Sequence, residues 1–261
     1  MKPPACLALA LTLTALPALS EDLPPGLVSA RLLPGWTDSQ GNRVSALELR
    51  LQPGWKTYWR SPGDTGLPPD FDWGASENLA GVTFHWPAPQ AIRSGGDITL
   101  GYHDLLVLPF TATPADPGKP LVLAAEVDLG ICERICVPVH VALQAPAPAP
   151  APSASIKAAL RDVPALVADS GTCALRDIAD GMQLEVLLPR ARIEVAAMEV
   201  VDRPDIWVSI PLLLPEDGAT RATADFVAPT GAPFDLDVSQ VRFTLIGPDG
   251  AVEMLGCDLQ G

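Results

Sequence analysis

The sequence predicts an all-β fold of two β-sandwiches in tandem, on three observations. Proline supplies 29 of 261 residues, about twice the usual share of roughly 5%. It removes a backbone donor and clashes inside helices, so long helices are disfavoured. Apolar and polar residues alternate in short runs between turn-rich stretches, the period of half-buried strands. Alternating alanine and proline from Gln144 to Ser153 divides the chain. With 48% hydrophobic and 18% charged residues, the composition is that of a globular protein. The formal charge of −14 argues against a nucleic-acid binder, which needs clustered Lys/Arg to neutralise phosphates. It argues equally against electrostatic docking on anionic lipid.

Taken in order, residues 1–20 are expected to be a cleaved secretory signal peptide. Lys2 starts it, an apolar run over 7–16 follows, and Ala18-Leu19-Ser20 places small residues before Glu21-Asp22. The run is short for a membrane span, and an uncleaved anchor is the alternative. Export makes the expected location an oxidising compartment. Residues 21–144 are expected to form the first domain. Its strands are 44–51, with Leu47, Leu49 and Leu51 on one face, then 105–110 and 121–127. Val137, Val139, Val141 and Leu143 mark another. The segment 145–153 reads as a semi-rigid polyproline spacer that leaves the pose of its neighbours open. A single domain with a long proline loop is the alternative. Residues 154–261 are expected to form a second β-sandwich domain. A short serine-capped helix over 155–162 opens it. Strands over 182–188, 193–201, 206–214, 241–246 and 251–255 follow.

Export also governs the cysteines. Cys6 leaves with the signal, and Cys132, Cys136, Cys173 and Cys257 remain. An even number in an oxidising compartment suggests two disulfides. Their distribution favours Cys132–Cys136 and Cys173–Cys257. Four residues of straight strand span about 13 Å, whereas a disulfide needs Cα atoms roughly 4.4–6.8 Å apart. A bonded Cys132–Cys136 pair therefore requires a hairpin with Glu133-Arg134-Ile135 as its loop. Pro138 suits an edge strand. The long loop closed by Cys173–Cys257 is worth roughly 4–5 kcal/mol in lost chain entropy, and the short one less. The first pair is thus a candidate redox switch and the second a candidate structural clamp. Other readings stay open. The short pair is an inert staple in one. In another, Cys132, Cys136 and His140 form C-x3-C-x3-H, a donor set for Cu(I) or Zn(II). A nucleophilic cysteine enzyme is disfavoured, because His85, His103 and His140 carry no family signature. Arg134 would favour a thiolate by its charge.

One ordered set of motifs goes further. Residues 54–69 read Gly-Trp-Lys-Thr-Tyr-Trp-Arg-Ser-Pro-Gly-Asp-Thr-Gly-Leu-Pro-Pro. Phe84-His85-Trp86-Pro87-Ala88-Pro89, Leu100-Gly101-Tyr102 and Cys132-Glu133-Arg134-Ile135-Cys136-Val137-Pro138 follow. The set resembles the N-terminal periplasmic domain of thiol:disulfide interchange protein DsbD and its ScsB-like relatives, over residues 30–143. The C-x3-C spacing favours the ScsB-like branch. The resemblance implies an immunoglobulin-like domain, hence two immunoglobulin-like β-sandwich domains joined by the Ala/Pro linker. It implies a thiol–disulfide oxidoreductase without bound cofactor, with Cys132 and Cys136 as the redox pair. Tyr58, Trp59, Asp64 and Tyr102 match signature positions; some of them are expected beside the hairpin, shielding or orienting the sulfurs, and a core or turn role is the alternative for each. A membrane-embedded DsbD/CcdA-like protein would donate electrons, and thioredoxin-like or cytochrome-maturation proteins would be clients. The donor is expected to be a separate protein, since residues 1–261 include no membrane domain. Asp128-Leu129-Gly130 departs from the family, which often has a bulkier aromatic there. The competing function is a copper-binding or substrate-recruiting module with a structural disulfide.

Overall fold

The computed structural model describes residues 23–260; the expected signal peptide and Cys6 lie outside them. The first sandwich runs through β1 (Leu27–Leu32), β2 (Trp36–Thr37), β3 (Arg43–Leu51), β4 (Lys56–Tyr58), β5 (Asp70–Asp72) and β6 (Leu79–Phe84). It continues through β7 (Gln90–Ser94), β8 (Asp97–His103), β9 (Leu105–Pro114), β10 (Ala124–Cys132) and β11 (Cys136–Gln144). One sheet has the order β1-β3-β9-β6, with β2 on β3. The other has the order β11-β10-β4-β8-β7, with β5 on β10. Alternation explains the pairing of the layers. Leu47, Leu49, Leu108, Phe110, Val127, Leu129 and Ile131 point inward from facing strands and meet Trp59 in one buried core. The segment 121–123 precedes β10 rather than belonging to it, touching the fold through a Glu77–Val122 bridge.

The helix α1 (Ala154–Arg161) follows the proline stretch. Ser153 occupies its N-cap but makes no side-chain cap bond; its hydroxyl meets that of Ser155 at 2.9 Å, so the expected serine cap is absent. The second sandwich comprises β12 (Ala165–Leu166), β13 (Gly171–Ile178), β14 (Gly181–Leu188), β15 (Val195–Val200) and β16 (Trp207–Val208). Then come β17 (Leu212–Glu216), β18 (Ala219–Val227), β19 (Val241–Gly247), β20 (Gly250–Leu255) and β21 (Cys257–Leu259). Its sheets are β12-β20-β19-β15 and β16-β18-β14-β13-β21, with β17 on β18. The expected strand over 206–214 is split between β16 and β17. Cys173 and Cys257 are bonded with Cα atoms 5.9 Å apart; they join β13 to β21, which run parallel.

The proline segment is not a free spacer. Arg43 donates to the carbonyls of Pro34 and, at 2.6 Å, Pro146. The Ala149 N–H donates to Gly35 at 2.9 Å. Ile156 of α1 is fully buried against Leu33, Val44 and Ala46 of the first sandwich. Val195 and Ala197 of β15 join the first sandwich's core. The pose that the linker composition leaves open is therefore set by packing on both sides of it.

Candidate functional site

Cys132 ends β10 and Cys136 begins β11, and the two face each other across the antiparallel ladder. Glu133-Arg134-Ile135 forms the loop, closed by Glu133 N–H donating to the Ile135 carbonyl at 3.3 Å. The chain reversal brings the Cα atoms to 4.2 Å and the sulfurs are bonded. Their exposures differ sharply. Cys132 is 2% exposed because β4 covers it, whereas Cys136 is exposed on the edge strand.

Strand β4 builds the wall of the site. It pairs with β10 through Thr57 opposite Ile131 and Lys56 opposite Cys132. The Thr57 hydroxyl donates to the Gly130 carbonyl at 3.0 Å. Two residues on from Lys56, Tyr58 shares its face of the strand. The Tyr58 hydroxyl lies 3.0 Å from Cys132 Sγ and 3.4 Å from Cys136 Sγ. Disulfide sulfurs carry no proton, so the hydroxyl donates. Burial pushes the Tyr58 phenol upward, which keeps it a donor. Gly130 gives the ring its place. A Cβ there would sit 3.2 Å from Tyr58 Cε2 and 3.4 Å from Leu67 Cβ. The departure seen in the sequence at 128–130 thus leaves room for the tyrosine. Around the sulfurs lies a cleft of about 180 Å³ lined by Lys56, Tyr58, Thr65, Asp97, Thr99, Glu133 and Arg134.

Of the other expected supporting residues, Arg134 lines the cleft with its side chain 90% exposed, 3.8 Å from Glu133. Trp59 is fully buried in the core. Tyr102 is buried, donates to the Pro87 carbonyl at 2.8 Å and is raised far above its ordinary range by burial. Asp64 accepts the Ile210 N–H at 2.9 Å, an attachment to the second sandwich. These three hold the scaffold and do not reach the sulfurs. His140 is not brought to the cysteines. It faces Asp128 in the ladder, its Nδ1 2.9 Å from Asp128 Oδ1. Four strand residues, about 13 Å, separate it from Cys136. Among the described residues no cluster of three His, Cys, Asp or Glu side chains could hold a metal. The proposed copper ligands are therefore not assembled. Sequence reading missed Lys56, Thr65, Leu67 and Thr99. The signal for Lys56 was its i, i+2 relation to Tyr58 within the same motif.

This geometry can be set beside known proteins. Residues 29–148 match the family described as thiol:disulfide interchange protein DsbD, N-terminal. Over this stretch the chain is similar to DsbD N-terminal domains. The matched stretch runs from within β1 through the first sandwich and its cysteine hairpin into the proline segment. The crystal structure of the N-terminal periplasmic domain of ScsB from Proteus mirabilis superposes with a TM-score of 0.65 at 23% identity. It covers 89% of this chain and 92% of that one. The shared fold therefore extends beyond the matched stretch into the second sandwich. Collagen adhesin from S. aureus aligns at 5% identity with a TM-score of 0.14, too low for a common fold. No curated protein matches the chain. Among the described residues no helix is long and apolar enough to cross a membrane.

Proposed function

We propose that the chain is a periplasmic thiol–disulfide exchange protein, with residues 21–144 as its redox domain, 145–153 as a strap and 154–261 as a second domain. The observation that carries the reading is the unequal exposure of two bonded sulfurs at an edge-strand tip, inside a stretch similar to DsbD N-terminal domains. In the loading half, a thiolate of a reduced donor protein attacks Cys136 Sγ, the exposed sulfur. The Cys132–Cys136 bond breaks and its electron pair goes to Cys132 Sγ, beside the Tyr58 hydroxyl. The donor's second thiolate then attacks its own sulfur in the mixed disulfide and releases Cys136 as thiolate. The donor leaves as a disulfide and this chain holds the dithiol. In the unloading half, the Cys136 thiolate attacks a client disulfide, and Cys132 resolves the mixed disulfide. The client leaves with two thiols. The family resemblance supports a membrane-embedded DsbD/CcdA-like donor and thioredoxin-like or cytochrome-maturation clients as partners.

Trapping tests the direction of attack. Cys132→Ser keeps the exposed sulfur and removes the resolving one, so mixed disulfides through Cys136 should accumulate with a thioredoxin-like partner. Cys136→Ser leaves a buried sulfur and should trap several-fold less. Equal trapping by both variants, or trapping by neither, would contradict the assignment.

A further inference from the structure

Lys56 is buried, at 8% exposure, in the wall of the sulfur cleft. The ladder puts it in one row with the reactive pair: Cys136 lies opposite Cys132, and Cys132 opposite Lys56. Facing residues in such a row project to the same side of the sheet, with Cβ atoms about 4.5–5.5 Å apart. Its Nζ donates to the Thr99 hydroxyl at 3.1 Å and lies 5.8 Å from the centre of the Tyr58 ring. Both partners are neutral. Among the described residues Lys56 forms no ion pair; Lys119 is the lysine that does. Buried charges are ordinarily paired, and burial alone pushes the Lys56 ammonium downward. An ammonium held beside a neutral disulfide, with no carboxylate among the described residues within ion-pair distance, is arranged for an anion that forms later. The cleft produces one when the disulfide opens.

We propose that Lys56 is a positioning residue whose charge holds the first thiolate of the reduced Cys132–Cys136 pair. The pair titrates as a unit, so the charge lowers its first apparent thiol pKa rather than that of one sulfur alone. Opening consumes one attacking thiolate and yields one leaving thiolate. The lysine stabilises the product side and makes the disulfide more readily reduced. Other ionisable groups also face the site: Tyr58 on β4, Asp97 and His103 on β8, and Glu133 and Arg134 on the hairpin loop. Asp97 and Glu133 oppose a thiolate. Arg134 supports one from solvent, where its side chain is mostly hydrated.

The inference rests on the exchange role proposed above, but its test does not require a partner. Protein reduced with dithiothreitol is alkylated with iodoacetamide across pH, and mass-tagging checks that Cys173–Cys257 stays closed. Lys56→Met should move the midpoint of the rate profile up by about one pH unit, a tenfold loss of thiolate below it. At a pH above both midpoints it should also shift the glutathione equilibrium toward the disulfide by a similar factor. Lys56→Arg should restore both. Lys56→Gln replaces Lys56→Met if the latter does not fold. An unchanged midpoint in the neutral variant overturns the proposal. So does an equal shift in the arginine variant, because that would mark a role in packing rather than charge. Failure of trapping with a normal Lys56 dependence would sink the exchange role and leave this inference standing.

Discussion

The Tyr58 hydroxyl stands 3.0 Å from Cys132 Sγ, on the buried side of the pair. As long as the disulfide is closed, the bond is a weak one to a neutral sulfur. When Cys132 becomes a thiolate the same donor faces a charge, and hydrogen bonds to charged groups are worth about 1.5–3 kcal/mol. Tyr58→Phe should therefore raise the apparent thiol pKa by about one unit or more. It should slow alkylation at neutral pH and leave the fold intact, which thermal unfolding with both disulfides closed would check. An unchanged pH profile would reduce the tyrosine to a cover. At this scale the structure brings Tyr58 and Arg134, of the residues the sequence grouped with the cysteines, to the cleft around the sulfurs. Trp59, Asp64 and Tyr102 share the motif with Tyr58, and strand alternation sends them elsewhere. Trp59 goes to the core, Tyr102 to a backbone carbonyl and Asp64 to the second sandwich. Phe84, His85 and Trp86 are likewise structural, with Phe84 packed at a tilt against Phe71, ring centroids 4.4 Å apart, and His85 hydrogen-bonded to Thr111.

Among the elements, the hairpin was legible because two local constraints agree. A disulfide across three residues demands reversal, and alternating valines demand strands on its far side. Strands such as β18 were not legible. Its inward positions are Ala222, Ala224 and Phe226, and alanine carries little β signal until its partners are known. The short strands β4 and β5 are defined by their neighbours rather than by their own composition. Between them, the loop from Trp59 to Pro69 connects the site to the second sandwich. Thr65 lines the cleft and Leu67 packs beside Gly130. Arg60 lies over the Trp59 ring at 4.2 Å and holds Glu199 with 2.9–3.1 Å bonds and Glu253 at 2.6 Å. These two carboxylates keep the guanidinium charged despite its burial. Arg60→Met leaves both partly buried carboxylates short of a counter-charge. The expected cost is about 1.5–3 kcal/mol for each strong bond lost, less whatever Arg242 recovers near Glu253. The variant should melt lower, and dithiothreitol should open Cys132–Cys136 faster because the loop over the cleft has lost its anchor. Unchanged melting and reduction rates would disconnect the second sandwich from the site.

For the whole molecule, the two sandwiches are one packed body across β15, the Arg60 cluster and α1, and that was hidden from the sequence. The Ala/Pro run advertises a spacer. The contacts that strap it down, from Arg43 and Gly35, lie more than a hundred residues upstream and leave no local pattern. What the sequence did show was the pairing of its cysteines. Cys132–Cys136 closes a very short ring at an exposed tip, while Cys173–Cys257 spans 84 residues and ties both ends of a sandwich. The chain-entropy argument makes the second bond the staple. The two should therefore differ in reducibility, since structural disulfides commonly lie below about −300 mV and exchanging ones above. A glutathione redox titration of the whole protein, with mass-tagging of free thiols at each step, tests that division most directly. Cys132 and Cys136 should open together within the range glutathione can buffer, with Cys173 and Cys257 still closed at its reducing end. Resistance of all four cysteines across that range would contradict the exchange role and leave a protein stapled twice.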